Sequence, residues 1–201
     1  MKIQFPDLLR PFMGKLTWRK NPSSKVIYLT FDDGPVPEVT PTVLQILNNQ
    51  NINATFFCVG ENVKKYPEIY SEILKSGNKT GNHSYHHLKG VSVELDEYLE
   101  DVQLASKYID SKLFRPPYGR ISYQQRKALR KKYEIVMWDV LTCDYDKKLT
   151  PEQILKNIKR YSRNGSIVVF HDSIKAKEHV LKVLPLAIEW WKSEGYEFGV
   201  I

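Results

Sequence analysis

The stretch VIYLTFDDGP, residues 26–35, indicates the fold class, because an unbroken apolar run ends in two aspartates, a glycine and a proline. Such a run of β-branched and aromatic residues is typical of a strand buried on both faces. The DDGP sequence after it indicates a turn. Thr40-Pro41 then predicts the start of a helix that ends near residue 50.

The same alternation of apolar runs and helical stretches continues along the chain. Further strands are predicted at residues 53–60, 78–82, 113–119, 134–140, 166–172 and the closing EFGVI. Helices are predicted at 62–76, 94–111, 121–132, from 150 onward, and at 176–194. Strands separated by helices form a parallel sheet covered on both faces. About seven strands fit the chain, which favours a barrel-like (β/α) arrangement over an open sheet.

Length and composition indicate one globular domain, since the chain has 201 residues, 42% of them hydrophobic and 26% charged. We assign residues 26–201 to this domain and residues 1–25 to an N-terminal extension that caps the barrel. No apolar run reaches the roughly 18 residues that span a bilayer. Asp7 and Arg10 interrupt any signal-peptide core, so we expect a cytoplasmic location by default, or export by a route with no visible signal.

The net charge of +7 raises the question of an anionic partner, either nucleic acid or an acidic glycan. The lysines are scattered, with only short runs such as RKALRKK at 126–132, and no nucleic-acid-binding motif accompanies them. A solvated surface is therefore the favoured interpretation. Cys58 and Cys143 lie far apart in apolar stretches, which is typical of reduced core thiols rather than a disulfide.

Polar residues collect at or just after the C-terminal ends of the predicted strands. They are Asp32, Asp33, His83, His86, His87, Arg115, Asp139, Asp144 and His171. In a barrel of parallel strands these ends meet on one rim, where such folds build their sites. We therefore expect residues that are distant in sequence to share one pocket.

The stretch GNHSYHHLKG, residues 81–90, contains three of the five histidines. His83 and His87 are four residues apart, a spacing that places two imidazoles on one face of a helical turn, whereas His86 points elsewhere. A catalytic zinc takes three protein ligands. Either Asp32 or Asp33 can supply the third, while its neighbour lies beside the attacking water.

Two histidines alone would be better explained as a surface loop or as satisfied core residues. Because DDG and His171 occupy matching strand ends, divalent metal binding becomes the favoured interpretation. His86 and His179 are still better explained as surface-loop or satisfied core residues than as metal ligands.

Five short motifs occur in the order TFDDGP (30–35), HSYHH (83–87), RPPYG (115–119), WDVLTCDYD (138–146) and VFH (169–171). Together with ATFFCVG (54–60), they resemble the motifs of the polysaccharide deacetylases of carbohydrate esterase family 4, the NodB homology domain. The resemblance covers residues 26–201. It implies a distorted (β/α) barrel that removes N-acetyl or O-acetyl groups from sugars with one divalent metal ion, usually zinc.

Carried over residue by residue, the resemblance implies a metal triad of Asp33, His83 and His87. Asp32 would be the general base, and Arg115 would hold it in place through a charge-assisted pair. His171 would be the general acid. The backbone N–H of Tyr118 would stabilise the oxyanion. Substrate contacts are expected from Pro116, Tyr118 and Tyr145.

The chain departs from the family pattern around the fourth and fifth motifs. Leu141 replaces an aspartate, Tyr145 replaces a second tryptophan, and Val169 replaces a leucine. Asp139 and Asp144 both remain, so the sequence leaves open which of them orients His171.

We expect an enzyme that hydrolyses N-acetyl groups of a GlcNAc-containing glycan, of the peptidoglycan or chitooligosaccharide type. The alternatives are an O-acetyl esterase acting on xylan and a non-catalytic glycan-binding relative, although a binder has no use for both an acid and a base. A phosphohydrolase with Asp32 as nucleophile is disfavoured, since no phosphate-binding glycine loop occurs. We expect a monomer without a nucleic-acid partner.

Overall fold

The computed structural model describes residues 3–201 as a parallel sheet curled into a half-barrel and covered by helices. Its strands are β1 (Val26–Asp32), β2 (Thr55–Cys58), β3 (Lys79–Asn82), β4 (Leu113–Phe114), β5 (Glu134–Ile135), β6 (Val140–Leu141), β7 (Ile167–His171) and β8 (Glu197–Gly199). Its α-helices are α1 (Thr40–Asn49), α2 (Gly60–Lys65), α3 (Pro67–Lys75), α4 (Leu95–Ala105), α5 (Tyr123–Leu129), α6 (Pro151–Tyr161) and α7 (Lys177–Ser193).

Seven strands follow one another in the order β5-β4-β3-β2-β1-β7-β6, and β8 pairs with β1. The predicted (β/α) barrel with about seven parallel strands is confirmed in this curled, half-closed form. β1 lies in the middle, with Asp32 in register with Phe57 of β2 and His171 of β7. The residues that follow β1 therefore reach the rim of the half-barrel between the loops that follow β2 and β7.

The core lies between the sheet and its covering helices, where apolar strand residues meet α1, α6 and α7. Phe31 of β1 stacks against Phe56 and Phe170 on the neighbouring strands. The predicted start of α6 is confirmed as a capping box, in which Thr150 and Gln153 bond each other's backbone N–H groups. Both cysteines are free and buried, as predicted. Within residues 3–201, no helix is long and apolar enough to cross a membrane.

The single strand predicted at 134–140 is wrong. The segment is divided into β5 and β6, which pair with β4 and β7 at opposite ends of the strand order. Between them, the carbonyl groups of Val136 and Met137 accept hydrogen bonds from the Arg115 guanidinium. The side chain of Arg115, the residue after β4, thus takes the place of hydrogen bonds that a neighbouring strand would make. The helix predicted at 62–76 is also divided, because Pro67 has no N–H with which to continue α2.

The N-terminal segment contacts both ends of the curled sheet. Thr17 forms a parallel bridge to Val136, and Arg19 forms an antiparallel bridge to Ser166. The Leu141 N–H donates to the Ile3 carbonyl at 2.8 Å. The segment therefore lies where the half-barrel is not closed by strand pairing.

The N-terminal segment also contains a 3-10 helix, Asp7–Met13, which carries the apolar Leu8, Leu9 and Phe12. Leu8 and Phe12 are both 82% exposed, so most of its apolar face is unburied.

Candidate active site

A cleft of about 710 Å³ opens at the C-terminal ends of the strands. Among the predicted residues, it is lined by Asp32, Asp33, His83, His86, His87, Tyr118, Tyr145 and His171. Their convergence on one rim follows from the parallel sheet, since each comes from the end of a strand or the loop after it. Asp139 and Pro116 do not line it.

Asp33, His83 and His87 form the three-residue cluster that could hold a metal ion, with donor atoms all within 4.8 Å of one another. His87 Nε2 lies 3.2 Å from Asp33 Oδ1, and His83 Nε2 lies 3.7 Å from the same oxygen. The other ring nitrogen of His83, Nδ1, bonds to the Arg115 carbonyl at 2.8 Å. This bond fixes the ring with Nε2 toward the cluster, the support that metal-binding histidines usually have.

The explanation of the histidine pair by a helical turn is wrong. His83 follows β3 directly, and the segment to His87 contains no helix. Ser84 and His87 instead adopt left-handed backbone conformations, with φ of 61° and 58°. The buried Asp101 carboxylate of α4 accepts hydrogen bonds from the N–H groups of Tyr85 and His86 and so holds the loop. A shaped loop, rather than helical periodicity, brings the two imidazoles together.

The electrostatics of the cluster suit cation binding. Burial lowers the pKa of His83 to about 4, which keeps its imidazole neutral at pH 7. Burial alone would raise the pKa of Asp33, but the hydrogen bond from His87 and the nearby histidine charges outweigh it and lower that pKa. His83 thus offers a neutral imidazole and Asp33 an ionised carboxylate, the protonation states that bind metal.

Asp32 is held by a buried arginine. Arg115 Nη1 lies 2.6 Å from Asp32 Oδ1, and Arg115 is fully buried. Its guanidinium also donates to Thr30 Oγ1 and lies 4.0 Å from the centre of the Phe57 ring. The pKa of Arg115 is lowered, because the effect of burial outweighs the charge of Asp32 and their hydrogen bond, which both raise it. The second oxygen of Asp32 lies 3.9 Å from His83 Nε2, beside the Asp33, His83 and His87 cluster.

The geometry identifies Asp144 as the partner of His171. The His171 ring nitrogen Nδ1 lies 2.7 Å from Asp144 Oδ1, and the His171 N–H donates to Asp144 Oδ2 at 2.8 Å. Burial would lower the pKa of His171, but the charge and hydrogen bond of Asp144 raise it to about 9. His171 is therefore protonated at neutral pH. His179 stays outside the cleft lining, with Nδ1 bonded to the Asp144 carbonyl at 2.8 Å.

Asp139 has a different environment, so its predicted place on the rim is wrong. Its buried carboxylate accepts hydrogen bonds from Arg10 at 2.6 Å, from Arg163 at 2.7 and 2.8 Å, and from Ser166 at 2.7 Å. Gln4 Nε2 also donates to it, at 3.1 Å. Asp139 thus joins the N-terminal segment to the sheet.

Tyr118 and Tyr145, which were predicted to contact substrate, both line the cleft. The Tyr118 side chain is 60% exposed, and its ring centre lies 4.7 Å from that of His87. The Tyr145 ring meets His171 edge-on at 4.9 Å. Pro116 is buried behind the rim, so the structure gives no support to a direct substrate contact from it.

Several residues of the site were missed in the sequence. Trp138 lines the cleft beside Gly119, where a Cβ atom would come within 2.4 Å of the indole ring. Asn62 donates to the Asp33 carbonyl at 2.8 Å. Asp172 accepts from the Gly34 N–H at 3.0 Å, and burial raises its pKa to about 7. Two features of the sequence could have indicated such residues. Gly119 directly follows Tyr118, and Asp172 directly follows His171.

Comparisons with known proteins give a consistent result. The family model described as polysaccharide deacetylase matches residues 19–136. The Bacillus cereus protein named peptidoglycan-N-acetylglucosamine deacetylase is 33% identical over 196 residues, which cover 94% of this chain and 92% of that protein. The Bacillus subtilis peptidoglycan-N-acetylmuramic acid deacetylase PdaC is 33% identical over 174 residues. This match covers 82% of the chain but 37% of PdaC, which is much longer.

Among solved structures, the Bc1960 peptidoglycan N-acetylglucosamine deacetylase superposes with a TM-score of 0.88 at 29% identity. The superposition covers 98% of this chain and 95% of that one.

Proposed function

Because the chain belongs to the polysaccharide deacetylase family, we propose that it hydrolyses the N-acetyl groups of N-acetylglucosamine units in a peptidoglycan-like glycan. The observation that carries this proposal is the arrangement of three groups around one cleft. They are the Asp33, His83 and His87 cluster, the Arg115-held Asp32 and the Asp144-held His171. A metal site, a base and an acid together are what amide hydrolysis requires.

The family is metal-dependent, and the donor set of Asp33, His83 and His87 fits a divalent ion. Two imidazole nitrogens and one carboxylate oxygen are the ligand types of catalytic zinc sites, so we propose zinc. When bound, this ion would supply the Lewis acidity that activates an amide carbonyl and water.

Asp32 would accept the proton of the attacking water, because its free oxygen faces the cleft beside the cluster. Arg115 would keep this carboxylate oriented, and its guanidinium is itself held by hydrogen bonds to Thr30 and to backbone carbonyls. The N–H of Tyr118 would donate to the oxygen that develops negative charge on the acetyl group.

His171 would donate its proton to the departing amine as the carbon–nitrogen bond breaks. The products are acetate and a free amine, and the proton given by His171 balances the one taken by Asp32. Asp144 holds the His171 ring in one orientation and stabilises its charged form. Amide hydrolysis needs this proton more than ester hydrolysis does, because an amine anion is a poor leaving group.

Acetate release from three substrates would test the proposal. We expect activity on GlcNAc oligomers and on glycan strands of peptidoglycan, and much less on acetylated xylan. Asp32→Asn is the matched negative variant, since it keeps the size of the side chain and loses the base. Preferred release from xylan would favour the ester alternative. Release from N-acetylmuramic acid units alone would move the proposal to the neighbouring sugar.

A further inference from the structure

His86 lines the same cleft as the metal-binding cluster but is not part of it. Its side chain is 53% exposed, and its ring packs edge-on against Tyr85 with centres 4.6 Å apart. The Nδ1 atom lies 2.5 Å from Oδ1 of Asp101, a buried residue of α4. One edge of this imidazole is therefore anchored while the ring remains accessible from the cleft.

Asp101 holds both the backbone and the ring of His86. Its carboxylate accepts from the Tyr85 N–H at 2.9 Å and the His86 N–H at 3.2 Å, in addition to the ring. A carboxylate can only accept, so Nδ1 donates to Asp101, and Nε2 is the ring nitrogen left for a ligand. Within residues 3–201, no protein group bonds to that Nε2. The loop thus presents an oriented hydrogen-bonding nitrogen at the cleft.

His86 is one of several polar groups on the β2 and β3 side of the cleft. The lining there also includes Glu61 and Asn62, and the Glu61 N–H donates to the Tyr85 carbonyl at 3.1 Å, which ties this edge to the loop that carries His86. A sugar ring in the cleft would therefore find polar partners for its hydroxyl groups beside His86.

We propose that His86 is a substrate-binding residue whose Nε2 forms a hydrogen bond with a hydroxyl group of the glycan, and that Asp101 is its positioning residue. This inference rests on the proposed function and adds the means by which the cleft recognises a sugar beyond its acetyl group. It also gives His86 a role different from that of its neighbours His83 and His87, which belong to the candidate metal-binding cluster.

The test compares a GlcNAc tetramer with a small aryl acetate, using zinc-loaded enzyme of verified metal content. His86→Phe keeps a ring but removes Nε2, so we expect KM for the tetramer to rise about five- to tenfold, the loss of one hydrogen bond. The kcat for the tetramer and the kcat/KM for the aryl acetate should stay unchanged, because the aryl acetate has no sugar hydroxyl.

Asp101→Asn provides an independent variant. Its neutral amide replaces the charged acceptor of Nδ1, so the hydrogen bond that orients the His86 ring is weakened. We expect the KM for the tetramer to rise at least as much as in His86→Phe. Because Asp101 also holds the loop that carries His83 and His87, activity on the aryl acetate is expressed per bound zinc and should then match the wild type. Lys89→Gln, an exposed position outside the cleft lining, is the control and should match the wild type on both substrates.

An unchanged KM in His86→Phe, with the wild type active on the tetramer, overturns this inference alone. Equal losses on the tetramer and the aryl acetate overturn it as well, since they would show that His86 supports the site rather than the sugar. A wild type that cleaves the aryl acetate but neither binds nor deacetylates the tetramer overturns the proposed function, and this inference with it.

Discussion

Burial and the partner of the second ring nitrogen set what two histidines of the cleft are suited to do. Burial lowers the pKa of His83 to about 4, so its ring stays neutral, as a metal ligand requires, while the Arg115 carbonyl fixes its orientation. The charge and hydrogen bond of Asp144 outweigh burial at His171 and raise its pKa to about 9, as an acid requires. One residue type is thus suited to the two proposed tasks because the fold supplies two different environments.

The first prediction concerns the metal ligands. His87→Ala removes one of three donors, so we expect zinc content and deacetylase activity to fall together, measured by elemental analysis and acetate release. His86→Ala, which lies one residue away and outside the cluster, should retain its zinc. Full zinc occupancy in His87→Ala would contradict the assignment, as would equal zinc loss in the two variants.

The second prediction concerns the pH dependence of the proposed acid. The pKa of His171 is raised, so its proton is present at low pH and is lost as pH rises through about 9. A divalent ion at Asp33 would offset the contribution of that carboxylate and move this limb lower. Asp144→Asn removes the largest favourable charge, so the basic limb of the kcat profile should shift to lower pH. If the basic limb of the kcat profile stays at the same pH in Asp144→Asn, the limb reports a group other than His171.

The third prediction separates proton donation from substrate positioning. His171→Ala should bind zinc normally and lose about 10²- to 10⁴-fold in kcat on an N-acetyl substrate. The loss should be much smaller on an aryl acetate, whose leaving group needs no proton. Equal losses on the two substrates would show that His171 positions substrate or supports the fold.

At the scale of elements, the strands that sequence analysis predicts best are those with long apolar runs, such as β1 and β7, and their ends locate Asp32, Asp33 and His171. The division of 134–140 was not predictable from local pattern, because its cause is a guanidinium from β4's loop, about twenty residues earlier. The loop between His83 and His87 was missed for a similar reason, since the Asp101 that shapes it lies on a later helix.

The fourth prediction concerns the contact between the N-terminal segment and the sheet, which we propose stabilises the half-barrel. Asp139 is fully buried and accepts from both Arg10 and Arg163, so Asp139→Asn should destabilise the fold by about 2–5 kcal/mol. Thermal unfolding would measure the loss. Asp110→Asn, at an exposed aspartate outside the cleft lining, is a matched control that should have little effect.

The same contact gives the fold a defined acid sensitivity. Burial would raise the pKa of Asp139, but hydrogen bonds from Arg163, Arg10 and Ser166 lower it from 3.8 to about 2. A carboxyl group whose pKa is depressed by folding stabilises the protein above its unfolded pKa, and this contribution is lost as pH falls toward the folded value. In the wild type, stability should therefore fall between pH 3.8 and about 2, and Asp139→Asn should show a smaller fall.

For the molecule as a whole, charge and site are separate features. The net charge is +7, but the cleft lining contains one lysine, Lys175, and one glutamate, Glu61, together with Asp32 and Asp33. The Lys175 ammonium lies 5.3 Å from the centre of the Tyr145 ring. The net positive charge is therefore not concentrated in the cleft lining.

The last prediction follows from this distribution. A diffuse positive surface attracts a polyanion over distances set by the Debye length, about 10 Å at 0.1 M salt, and barely affects a neutral ligand. KM for glycan strands that carry peptide carboxylates should therefore rise as the salt concentration increases from about 0.05 to about 0.5 M, because the Debye length shortens over this range. KM for a neutral GlcNAc tetramer should stay constant over the same range. Parallel changes for the two substrates would show that salt acts on the cleft itself, and the surface charge would then have no role in capturing substrate.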